Sequence, residues 1–392
     1  MKIVGIICEY NPFHLGHAKQ IRLIREYFGE DCAIVCLMSG NFVQRGEPAV
    51  FHKSLRARAA VDCGADLVLE MPVQYALSSA EGFAAGGVSI LGSFCDYLCF
   101  GCETGEASVL MATAKALLSP EIQPIIREKL LCGISYPAAR AEALEALGLD
   151  AALLRRPNDI LAVEYCKAIL SQGSKMRPLP IRRRGDYHDN TPDPENPSAT
   201  ALRRLIAAGE DFRAYVPREA ADIFAGAPVY TLSTGSRAVM ARLRTMTEAE
   251  FEALPYGSEG LWRKFMHGCR RESTPEAIAA SAKSKRYTAT RLQRMLMCAY
   301  LGIDRNTLES PAPYARVLAF SSAGQQVLRM AREHTALVNI GQRTHSPYEE
   351  LEHRCGDLYD LFRSGGPTEG GSEARLRVYV RKKVPEESSH ET

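Results

Sequence analysis

The chain has almost no net charge. Its 48 Lys and Arg residues against 46 Asp and Glu leave +2 at pH 7, too little to mark a nucleic-acid binder, so any polyanion partner has to be argued from local patches. No apolar run approaches the length of a bilayer span, and Lys2 leads into a short apolar run interrupted by Glu9 rather than into a leader. The expectation is a cytoplasmic protein without membrane contact. There is no fixed-period repeat, which sets aside a solenoid. Nor is there a disulfide framework: the 12 cysteines are scattered, mostly inside apolar runs such as CAIVCLM, as reduced, buried thiols are. Cys99 and Cys102 form a C-x-x-C, but no second pair stands at zinc-site spacing. A packed strand end is the better reading, and no metal or redox role is assigned.

What is present is enough apolar sequence for a sizeable core: 46% of 392 residues are hydrophobic and 24% charged, as in a globular protein of two or three domains. Short β-rich runs (KIVGIICEY, CAIVCLMSG, DLVLEMP, DYLCFG) alternate with helical patterns (AKQIRLIREYF, LRARAAVDCGA, SAEGFAAGGVSILGSF). That rhythm predicts an α/β fold with a parallel sheet covered on both faces and a ligand at the carboxyl ends of its strands. A helical insertion is expected over about 103–172, after which MRPLPIRR resumes the sheet. From about residue 216 the strand signals thin out, predicting domains at 1–215 and 216–392, the second mainly helical, with strand-like ARVLAFSS and TALVNI near its end.

Two stretches carry chemistry. In EYNPFHLGH, His14, Gly16 and His17 sit where the first strand turns into the first helix. A helix opening there presents both imidazoles and the free N–H groups of its first turn to an anion such as a triphosphate, and Gly16 leaves room for a flat base. In SATALRR, Ser198, Thr200 and Arg203 open a second helix and offer hydroxyls and a guanidinium to the β- and γ-phosphates. Each has a plainer reading, as a capped turn and as a Ser-capped amphipathic helix. Their joint presence favours nucleotide chemistry.

HLGH and SATALR resemble the paired motifs of the nucleotidyltransferase superfamily. With MSGNFVQRGEPAV, CFGCE, RPNDILAVEY, RRRGDYHD and SKRYTATRLQR in this order, nearly the whole chain is similar to the bacterial tRNA(Met) cytidine acetate ligases. That family has a polar residue where Leu15 stands and serine where Cys102 stands. The resemblance implies a Rossmann-like nucleotidyltransferase domain and a two-step reaction. Acetate attacks the α-phosphate of ATP to give acetyl-adenylate and pyrophosphate, and the N4 amine of the wobble cytidine of elongator tRNA(Met) takes the acetyl group. His14 and His17 would be catalytic. ATP would be held by the loop Ile7, Cys8, Glu9, Tyr10, Asn11, Pro12, Phe13, His14, Leu15, Gly16, His17, Ala18, Lys19 and Gln20, by Gly101, Asn158 and Arg183 or Arg184, and by Ser198, Thr200 and Arg203. Magnesium is expected with ATP.

The RNA side rests on charge. Between Arg263 and Arg294 nine basic residues face only Glu272 and Glu276, and Lys283, Lys285, Arg286, Arg291 and Arg294 are the expected tRNA contacts. Trp262, His267 and Tyr287 are candidates to stack on unpaired bases. Two other readings stay open: a small-molecule adenylyltransferase, which would need only the first domain, and an RNA-binding protein without catalysis.

Overall fold

The structure, a computed structural model, describes residues 1–29, 31–182, 197–284 and 286–382. In chain order the strands are β1 (Lys2–Cys8), β2 (Cys32–Ser39), β3 (Phe42–Val43), β4 (Glu47–Pro48), β5 (Leu67–Met71), β6 (Tyr97–Cys102), β7 (Arg177–Arg182), β8 (Ala315–Phe320), β9 (Leu337–Asn339) and β10 (Tyr379–Val380). The main sheet runs β10-β8-β5-β2-β1-β6-β7, with β9 on β8, while β3 and β4 form a separate hairpin. From β5 to β7 every pairing is parallel, as the βαβ rhythm predicts. Every residue of β2 is buried, the mark of a central strand with both faces covered.

The helices Ala80–Leu91, Ala107–Leu118 and Pro157–Ser171 pack Leu91, Leu110 and Ala162 against one face of the sheet. The helices Leu15–Phe28, Lys53–Asp62 and Arg218–Phe224 bury Ile24, Ala57 and Phe224 on the other. Between β6 and β7 the chain forms the helices Ala107–Leu118, Ile122–Leu131, Tyr136–Ala146 and Pro157–Ser171 and, among the described residues, no strand. Beyond residue 216 a third core gathers around Phe265, Leu296 and Tyr359, with Phe42 and Leu77 reaching into it from the first half.

The strand-like ARVLAFSS and TALVNI became β8 and β9, and these join the main sheet: β8 lies antiparallel to β5, with β9 and β10 parallel to it. Hydrogen bonding thus crosses the expected boundary at 215/216. Among the described residues, no helix is long and apolar enough to cross a membrane.

Candidate active site

Strand order turns around at β1, with β2 and β5 on one side and β6 and β7 on the other. β1 pairs with β2 over seven positions but with β6 only at Val4–Tyr97 and Gly5–Leu98. The ladder therefore stops short of the carboxyl ends of β1 and β6, and the crevice that binds ligands in such sheets lies there. Ile7 and Cys8 end β1, and Gly101, paired with Ile181 on β7, stands near the end of β6. Gln20 reaches across, its Nε2 3.5 Å from Cys99 Sγ.

The loop from Glu9 to His14 closes the end of β1. Tyr10 sits at φ +46°, a conformation that packing must hold. Its hydroxyl lies 3.2 Å from Cys36 Sγ on β2, and its ring meets Phe13 and His17 edge-on at 4.8 Å. A cis bond joins Asn11 to Pro12. His14 caps the helix Leu15–Phe28: its Nδ1 accepts from the Gly16 N–H at 3.1 Å, and the His14 N–H donates back to His17 Nδ1 at 3.2 Å. This is a capping box in which two histidines take the places usually held by Ser or Thr and by Glu or Gln. The rings stack 3.6 Å apart. With both Nδ1 atoms accepting, each neutral imidazole carries its proton on Nε2.

Gly16 also lies close under the His14 ring. A Cβ there would lie 2.9 Å from His14 Cε1, so the missing side chain lets the His14 ring fold over the helix start. Leu15, Ala18 and Gln20 are half-buried and Lys19 is exposed on the first turns.

The second motif comes to the first through Arg203. In the helix Ala199–Ala208, Arg203 donates from Nη1 to the Asn11 carbonyl at 3.1 Å and from Nη2 to Thr200 Oγ1 at 3.3 Å. Asn11 also accepts the Val50 N–H at its Oδ1, 2.8 Å away. Ser198 is the N-cap residue, though its side chain makes no capping bond. Arg183 and Arg184 lie outside the described residues, directly after the end of β7 at Arg182.

Asn158 is in the first turn of its helix rather than at the cap, which is Arg156. Its Nδ2 donates to Glu103 Oε1 at 2.8 Å, and the Asp159 N–H donates to Glu103 Oε2 at 2.8 Å. In return, buried Asp159 accepts the N–H groups of Glu103 and Thr104 at 2.9 and 3.0 Å and the Thr104 hydroxyl at 2.8 Å. This double latch fixes Asn158 beside the end of β6. Sequence reasoning missed Glu103 and Asp159, although CFGCE and PND contained them.

It also missed Arg56. Completely buried, this guanidinium donates to the carbonyls of Phe51 at 2.9 Å and Ser39 at 3.2 Å, and to those of Glu9 and Gly40. It gathers the ends of β1 and β2 under the site. Burial pulls its pKa down from the ordinary arginine value.

On the helical side, Lys283 and Arg286 are exposed, Arg286 pairing with Glu259 at 2.7 Å. Lys285 lies outside the described residues. Arg291 is half-buried and donates to the Tyr256 carbonyl at 3.0 and 2.7 Å. Arg294 is 8% exposed and turned inward, with its Nη1 3.4 Å from the Gln44 carbonyl. Trp262 is buried in the helical core, His267 is exposed and Tyr287 half-buried. Arg263, Lys264, Arg270 and Arg271 are exposed.

The model of the HIGH nucleotidyl transferase family matches residues 1–371. The chain is 35% identical to the tRNA(Met) cytidine acetate ligase of Geobacillus sp. (strain WCH70), over 92% of this chain and 94% of that one. It is 38% identical to the ligase of the same name from Caldicellulosiruptor saccharolyticus, with the same coverage. Among solved structures, Thermotoga maritima TmcAL bound with alpha-thio ATP superimposes with a TM-score of 0.86 at 28% identity, covering 97% of this chain and 99% of that one. The apo form of that protein gives 0.88, covering 97% and 100%.

Proposed function

The chain belongs to the HIGH nucleotidyl transferase family, among its tRNA(Met) cytidine acetate ligases, and from that premise we propose that it joins acetate to the wobble cytidine of elongator tRNA(Met) at the expense of ATP. The observation that supports this reading is the Arg203–Asn11 hydrogen bond, which ties the SATALR helix to the loop leading into HLGH. On this reading the two imidazoles and the start of the second helix serve one nucleotide.

ATP enters with its triphosphate across the N-terminus of the helix Leu15–Phe28, where the helix dipole favours an anion. A carboxylate oxygen of acetate attacks the α-phosphorus, the bond to the bridging oxygen breaks, and pyrophosphate leaves. His14 and His17 donate from Nε2 to the oxygens on which charge builds; because their Nδ1 atoms are already held by the backbone, little reorganisation is needed. Ser198, Thr200, Arg203 and Arg183 or Arg184 take the leaving phosphates. Gly101 and Asn158 border the nucleoside. Magnesium, where it accompanies ATP, would supply charge neutralisation at the triphosphate.

In the second step the cytidine N4 attacks the acyl carbon of acetyl-adenylate, AMP leaves with the electron pair, and the amine gives up a proton. The exposed basic residues, Lys283 and Arg286 among them, hold the RNA by its phosphates. Division of labour between residues 1–215 and 216–392 follows, with ATP on one side and RNA on the other, and such an enzyme works in the cytoplasm.

Exchange of labelled pyrophosphate into ATP tests the first step. Exchange that depends on acetate and proceeds without tRNA is expected. Exchange indifferent to acetate would point to another adenylyl acceptor, and nucleotide binding without exchange to an RNA binder on a nucleotidyltransferase fold.

A further inference from the structure

The β3–β4 hairpin belongs to the nucleotide half by sequence and to the helical half by contact. Phe42 is buried against Tyr359 and Phe362, ring centroids 5.8 and 6.2 Å apart. At the turn, Gly46 adopts φ +77° and lies against the helix Ala289–Leu301 so closely that a Cβ would run into the backbone of Gln293 and Arg294. Only glycine combines that angle with that approach.

Gln44, two residues earlier, faces the other way. Its N–H donates to Glu9 Oε1 at 2.8 Å, and its side-chain amide to the Ser78 carbonyl at 3.4 Å. Its own carbonyl accepts from Arg294. The Arg294 guanidinium also stands 5.2 Å from the ring centre of Tyr256, whose hydroxyl donates to the Leu77 carbonyl at 2.7 Å. One buried cation therefore joins the ATP loop, through Gln44 and Glu9, to the helix that carries Arg291 and follows the Lys283–Arg286 loop.

We propose that Arg294 is a positioning residue for acyl transfer to RNA rather than an RNA contact. Through the hairpin it holds the RNA-facing helix at a fixed distance from His14 and His17, so that a base delivered along that helix meets the adenylate. At 8% exposure, with its Nε buried and its plane between a protein carbonyl and an aromatic ring, this guanidinium is out of reach of an RNA phosphate. This inference rests on the acetate-ligase reading.

The test compares Arg294→Gln, Arg294→Lys, Gly46→Ala and Arg286→Glu with the parent enzyme in three assays: acetate-dependent pyrophosphate exchange, kcat and KM for tRNA acetylation, and the salt dependence of tRNA binding. For Arg294→Gln, exchange should stay within about threefold of the parent while kcat for acetylation falls on the order of tenfold or more, with KM and salt slope unchanged. Arg294→Lys, which keeps a cation in the buried site and so protects the fold, should recover part of that kcat. Gly46→Ala should repeat the kcat loss with no charge altered. Arg286→Glu should instead raise KM and flatten the salt slope. The proposal is overturned if Arg294→Lys or Arg294→Gln raises KM and flattens the slope as Arg286→Glu does, or if exchange and acetylation fall together. A parent enzyme that fails to acetylate tRNA would sink the acetate-ligase reading itself.

Discussion

With one ring nitrogen of His14 and one of His17 each accepting a backbone N–H, the two imidazoles are fixed in tautomer as well as in place. His17→Ala removes a donor and one half of the capping box; His14→Ala removes a donor and the cap itself. Each should lower acetate-dependent pyrophosphate exchange on the order of a hundredfold or more, while the lost cap costs about 1 kcal/mol of stability. Near-normal exchange in either variant would remove that residue from the chemistry. A second residue-scale prediction concerns Glu352. Burial pushes its carboxyl up to about 7 against the opposing pull of Arg316, 3.0 Å away, while Tyr314 donates to it at 2.8 Å. A raised carboxyl pKa means that the folded protein holds the proton more tightly than the unfolded chain. The resulting stability is complete below the ordinary glutamate pKa and is lost as pH rises through about 7. Glu352→Gln should therefore gain on the parent in melting temperature between pH 5 and pH 8, and a difference that does not change with pH would contradict the assignment. HLGH stood out in the sequence because its two histidines fall where the first strand turns into the first helix. Glu352 did not, because nothing local distinguishes a buried glutamate from the solvated ones around it.

At the scale of elements, periodicity identified the strands and helices that position the site: β1, β2, β5, β6 and β7 lie where alternation of strand and helix patterns placed them. It failed where an element is short or its partner distant. The β3–β4 hairpin has two residues per strand, below what a pattern can reveal, and the latch between Glu103 and Asp159 joins residues 56 apart. That latch holds the helix Pro157–Ser171 against the end of β6, so Glu103→Ala should raise KM for ATP on the order of tenfold and leave kcat within a few-fold if it presents Asn158 to the nucleotide. An equal fall in kcat would place Glu103 nearer the reacting atoms. Arg56 lies in a helix pattern where an arginine is ordinarily solvated; its burial under β1 and β2 follows from four carbonyls converging on it. Arg56→Ala leaves those carbonyls unpaired and should cost more than about 3 kcal/mol in denaturant unfolding. A cost under about 1 kcal/mol would show that water replaces the guanidinium.

For the whole molecule, the composition shift at residue 216 is real in the helices that follow it, yet the sheet does not respect it. β8 pairs with β5, and a buried ionic cluster ties the halves together. Lys53 meets Glu70 at 2.9 Å and Glu373 at 2.8 Å, and Arg316 meets Glu70 at 2.8 Å and Glu373 at 2.9 Å. Burial opposes ionisation of Glu373, but Lys53 and Arg316 outweigh it and hold its pKa at about 2. Charges so far apart in sequence give no local sign that they will meet. A fragment of residues 216–392 would keep Arg316 and Glu373 without Lys53 or Glu70, and it should show no cooperative thermal transition; a sharp one would establish the helical half as an independent folding unit. The central claim is that one site activates acetate and passes it to RNA. Its most direct test is mass spectrometry of nucleosides from unmodified elongator tRNA(Met) incubated with the full-length protein, ATP, magnesium and isotopically labelled acetate. The account predicts N4-acetylcytidine carrying the label. Unlabelled tRNA, recovered from a folded protein that still binds both ATP and tRNA, would contradict it.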